Sequence, residues 1–70
     1  MVTIDLHGVK HEPVESIMVG VCAEHATPFI VITGNSPQMK KLVAKAVNNF
    51  GLSIRDAINN PGRVVVDENR

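Results

Sequence analysis

The chain has 70 residues, 44% of them hydrophobic, and seven acidic against seven basic side chains give a formal net charge of zero. That length holds one domain with a thin stability margin. The charge balance differs from that of strongly basic nucleic-acid binders. With Phe29 and Phe50 as the only Phe, Tyr or Trp residues, no row of aromatic platforms is on offer for stacking single-stranded bases.

Val2, Ile4 and Leu6 alternate with Thr3, Asp5 and His7, the period of a strand with one buried face, and Gly8 breaks it. A helix is predicted from Pro13 to about Glu24. Pro13 suits the first helical position, and Glu12 and Glu15 lie near the positive end of the helix dipole. Val14, Ile17, Met18 and Val21 form one apolar stripe, and Gly20 within it costs about 1 kcal/mol relative to alanine. Cys22, the single cysteine, excludes an internal disulfide and paired-cysteine metal sites; its apolar neighbours mark it as a small buried side chain. His11 and His25 have no evident partners and are placed on the surface.

Residues 29–33 form a nearly continuous apolar run, which predicts a strand buried on both faces, as a central parallel strand would be. Gly34 and Asn35 turn the chain, Ser36 suits an N-cap, and Pro37 takes the next first-turn position. The second helix is predicted to run to about Phe50, with Met39, Leu42, Val43, Ala46, Val47 and Phe50 as its stripe and Gly51 as its stop. Leu52, Ile54 and Ile58 suggest a third strand, although Asp56 falls on its apolar side. Asn59, Asn60, Pro61 and Gly62 signal a turn, residues 63–67 a last strand, and the two strands a hairpin. The order is β-α-β-α-β-β, with residues beyond Asp67 expected to fray. No basic region followed by an apolar run opens the chain, and no apolar stretch approaches bilayer length. The expected setting is therefore soluble, cytoplasmic and away from membranes.

The first two strands, joined by a helix, are expected to lie parallel, which brings their C-terminal ends to one edge. Asp5, His7, Gly8, Thr33, Gly34, Asn35 and Ser36 would converge there, at the usual ligand edge of an open α/β sheet. The start of helix two adds free backbone N–H groups, and Gly34 permits close approach of an anion. Lys40 and Lys41 one turn on, with Lys10 in the other loop, would add positive charge in a chain neutral as a whole. Asp5 and His7, two apart on a strand, would share a face, where a carboxylate can orient an imidazole for proton transfer in phosphodiester cleavage. A plainer reading stands beside each of these. Asp5 would cap a backbone N–H while His7 bonds its own turn, residues 34–37 would be a turn and a helix cap, and the lysines a solvated helix face. No set of metal ligands is identified, and a divalent cation stays open as a cofactor.

Thr3-Ile4-Asp5-Leu6-His7-Gly8, followed by Glu12 and a helix, resembles the opening signature of the Smr (small MutS-related) domain family. Ile30-Val31-Ile32-Thr33-Gly34 resembles that family's second signature, residues 40–47 its following helix, and Pro61-Gly62 before Val64-Val65-Val66 its closing glycine and last strand. The resemblance implies a two-layer α/β sandwich, a four-stranded mixed sheet with two helices, similar to the C-terminal domain of translation initiation factor three. It implies nucleic-acid work, by DNA nicking, messenger RNA cleavage at stalled ribosomes, or binding alone. Asp5 and His7 match the positions tied to cleavage, Gly34 the first glycine of the second motif, and Lys40 stands near a position where the family often has arginine. Ser36 replaces the motif's second glycine, and Asn35 the basic residue often found between the two. The expectation is a stand-alone domain that binds nucleic acid and cuts a phosphodiester bond; the alternative is a non-catalytic module for nucleic acid, ribosome or protein.

Overall fold

The computed structural model describes residues 2–68. Its elements are β1 (Thr3–Asp5), α1 (Val14–Glu24), β2 (Phe29–Ile32), α2 (Pro37–Asn48), β3 (Leu52–Ala57) and β4 (Asn60–Glu68). The strands form one mixed sheet in the order β1-β2-β4-β3. β1 runs parallel to β2, with Ile4 opposite Val31, and β4 is antiparallel to both β2 and β3. This is an α/β fold of two helices and a four-stranded mixed sheet.

Strand alternation divides the sheet into two unlike faces. Phe29 and Val31 of β2 and Val64 and Val66 of β4 are fully buried beneath Val14 and Met18 of α1 and Met39, Val43, Ala46 and Val47 of α2. Ile4, Leu52 and Ile54 pack against the rim of this core. The apolar side chains of α2 recur every three or four residues, which turns one stripe inward and leaves Lys41 and Lys45 exposed. Fully burying a Val, Met or Phe side chain contributes about 1.5–3 kcal/mol, and Ala46 contributes less.

The opposite face has no helix over it among the described residues. Ile30 and Ile32 are half-buried where their neighbours on β2 are fully buried, so β2 is covered on one side and not on both, contrary to the expectation from its unbroken apolar run. An apolar run cannot by itself distinguish these cases, because a one-sided strand tolerates Ile on its outer face.

Three further boundaries differ from the sequence reading. α2 ends at Asn48, and Phe50 lies outside the helix, 45% exposed, in the turn closed by Gly51 at φ 72°. β3 stops at Ala57, which leaves Ile58 90% exposed at the hairpin tip beside Asn59 at φ 57°. β4 starts at Asn60, because Ala57 pairs with Asn60 across that tight turn and a bulge follows at Asp56/Ala57. Asp56 does point to the helix side of β3, where it meets Lys40 of α2 at 3.3 Å. Of the segment expected to fray, Glu68 is still in β4, and residues 69–70 lie outside the described range.

Candidate functional site

Because β1 and β2 are parallel neighbours, both end at the same rim of the sheet. The Leu6 N–H donates to the Ile32 carbonyl at 2.9 Å and extends the pairing past β1. The chain then turns sharply: Val9 N–H donates to the Leu6 carbonyl at 3.0 Å, with Gly8 at φ 83° in the position that requires a left-handed backbone. The turn carries His7 towards the end of β2. A Cβ built on Gly34 would lie 3.2 Å from His7 Cδ2, so the imidazole edge rests against the glycine.

A third segment joins them. Because β4 is antiparallel to β2, its start lies at the rim where β2 ends. The Gly62 carbonyl accepts the Thr33 N–H at 2.9 Å and the Gly34 N–H at 3.0 Å. A Cβ on Gly62 would sit 3.7 Å from Gly34 Cα. Asn60 Oδ1 accepts the Gly62 N–H at 3.3 Å and steadies this turn. The contribution of β4 could not be inferred as part of the site from spacing along the chain; the Pro61-Gly62 pair was its only trace.

The convergence is tight, and Asp5 takes the plainer of its two expected roles, capping a backbone N–H. β1 ends at Asp5, so His7 sits in a turn, and strand alternation does not place it with Asp5. Asp5 Oδ1 accepts the backbone N–H of His7 at 2.9 Å. Among the described residues, no hydrogen bond joins that carboxylate to the imidazole. Thr33 is buried, 3% exposed, and its hydroxyl donates to the Gly34 carbonyl at 2.9 Å. The Gly34 N–H is engaged by Gly62, as above, and does not face outward to an anion.

The N-terminus of α2 is differently disposed. Ser36 Oγ accepts the Met39 N–H at 3.1 Å, and the Ser36 carbonyl takes the Lys40 N–H. The amides of Asn35, Ser36 and Gln38 have no hydrogen-bond partner among the described residues. They lie at the positive end of the helix dipole, one and two residues from Gly34 in the first two cases. Lys40 is half-buried and held by Asp56, whereas Lys10 and Lys41 are exposed and free of ion pairs among the described residues. Gly8, Val9, Lys10, His11 and Glu12 line an open groove beside the β1 turn, which places His11 near the rim.

No three His, Cys, Asp or Glu side chains among the described residues come together as a metal site. No helix in this range is long and apolar enough to cross a membrane. Cys22 is half-buried on α1, away from this rim, and desolvation pushes its thiol above the ordinary value. No family model, curated protein or solved structure matches this chain.

Proposed function

We propose that this chain is an Smr-like domain of the cytoplasm that binds nucleic acid, DNA or RNA, through the rim where His7, Gly34 and Gly62 meet. The observation that carries the reading is the contact of His7 with Gly34 beside the three unpartnered amides of Asn35, Ser36 and Gln38. A phosphate oxygen is the acceptor such amides suit, and the helix dipole favours its charge. Lys41 and Lys10 add long-range attraction, while Lys40 stays with Asp56. The likeness of residues 3–8 and 30–34 to the two Smr signatures supports the same reading, and ribosomal RNA is a partner of the same chemistry.

The test is titration with short duplex DNA, single-stranded DNA and hairpin RNA, followed by backbone amide NMR at several salt concentrations. The expected shifts centre on His7, Asn35, Ser36 and Gln38. On duplex DNA the affinity should fall by about 0.9 log units per log unit of salt for each phosphate engaged. Absence of binding at low salt refutes the reading, and shifts elsewhere refute the site.

Cleavage is a second reading, favoured by the exposure of the His7 ring next to Gly34. His7 would take a proton from the attacking hydroxyl or water, and Asp5 would position His7 through its backbone N–H. Plasmid and structured RNA cut equally by the native chain and by His7→Ala would exclude it.

A further inference from the structure

We propose that the helix-free face of the sheet docks on the same face of a second copy of this chain, about a two-fold axis that runs along β2. The strand registers define this face. One row across it reads Asp5, Ile32, Arg63 from β1 to β4, and the next reads Thr3, Ile30, Val65, Arg55 from β1 to β3. Ile30, Ile32 and Val65 are adjacent and half-buried, and no element among the described residues lies over them. At the far side Arg55 is paired with Asp67 at 3.4 Å. The Arg63 guanidinium makes no ion pair or side-chain hydrogen bond with any described residue. Asp5 is exposed, with one carboxylate oxygen held by the His7 N–H.

The charges select both the occupant and the axis. Opposite charges flank Ile32, one on each neighbouring strand. A two-fold axis along β2 exchanges the two flanks, so Asp5 of each copy faces Arg63 of the other, Ile32 meets Ile32, Ile30 meets Ile30, and Thr3 covers Val65. An axis across the strands would set Asp5 on Asp5 and Arg63 on Arg63, which repel. The chosen arrangement is isologous and closes at two copies. Face-to-face sheets keep their strands within about 30° of each other, which their twist permits here. The chain exposes 4478 Å² in all, so one sheet face offers no more than the order of the roughly 800 Å² per partner of a standard interface, and with Ile30, Ile32 and Val65 as its apolar centre the dimer is weak. The docking does not depend on the nucleic-acid reading; the axis along β2 brings both His7–Gly34 rims to one end of the dimer.

Sedimentation velocity over a concentration series from about 1 μM to about 1 mM tests this, a range that spans the dissociation constants of weak dimers. The native chain is expected to move from monomer to dimer. Asp5→Arg and Arg63→Asp, each alone, place like charges in apposition and should remain monomeric. Mixed in equal amounts, the two variants should form a heterodimer, and the double variant Asp5→Arg/Arg63→Asp should again self-associate. Heterodimer formation also demonstrates that both single variants fold. The proposal is overturned by a native chain that stays monomeric throughout, by single variants that dimerise as the native chain does, or by a mixture that fails to associate. Ile32→Ser provides a check that leaves the charges unchanged: unchanged dimerisation would place the interface elsewhere.

Discussion

Gly34→Ala probes the junction on which the site depends. The substitution adds one methyl group at φ 67°, a backbone conformation that costs an L-residue about 1–2 kcal/mol. The new Cβ would also stand 3.2 Å from His7 Cδ2, so the imidazole must move by a few tenths of an ångström. His7 is exposed and its ring is the far end of a side chain, so the crowding adds only about 0.5 kcal/mol. Gly8→Ala is the control: its φ of 83° imposes the same kind of backbone strain, but nothing lies within 4 Å of its Cβ. For a domain of this size each kcal/mol moves the midpoint by about 4–8 °C, so Gly34→Ala should lower it by roughly 6–20 °C and by more than Gly8→Ala does. Thermal and urea unfolding followed by circular dichroism would measure both. Repeating Gly34→Ala in a His7→Ala background should recover the crowding part and leave the backbone part. If the two changes are additive, and Gly34→Ala costs no more than Gly8→Ala, the β1 and β2 corners do not touch and the shared rim is lost.

Three other outcomes follow from local geometry. Ser36→Ala removes the acceptor of the Met39 N–H and should destabilise the fold by about 1 kcal/mol in urea titration. Gly20→Ala, in mid-α1 with open space at its Cβ, should stabilise it by roughly 0.5–1 kcal/mol in the same assay. Burial raises the Cys22 thiol above 9.0, so the folded chain keeps a proton that the unfolded chain has lost. The stability this confers is fully present below pH 9 and declines as pH rises through the raised value. Unfolding free energies measured from pH 8 upward should therefore fall more steeply for the native chain than for Cys22→Ala, and parallel curves would refute the assignment.

The two parallel corners were legible because each rested on a local signal: alternation ended by Gly8, and an apolar run ended by Gly34 ahead of Ser36 and Pro37. The groups that would act at the rim were less so. Whether the Asp5 carboxylate meets the imidazole or the backbone N–H of His7 depends on where β1 stops, and alternation does not mark that point. Lys40 looked like a free cation because its partner Asp56 lies sixteen residues away on strand β3.

Residue order alone determined which segments are helices and strands, because hydrophobic period and capping residues act over a few positions. It also accounts for the parallel pairing of β1 and β2, since a helix-length connection returns the chain in the same direction. Only the tertiary structure decided that β4 enters between β2 and β3, that Gly62 therefore closes the rim, and that one sheet face carries both helices while the other carries none. Those outcomes depend on strand pairing and helix packing between segments distant in the chain, where the alternatives differ in shared contacts and not in local propensity.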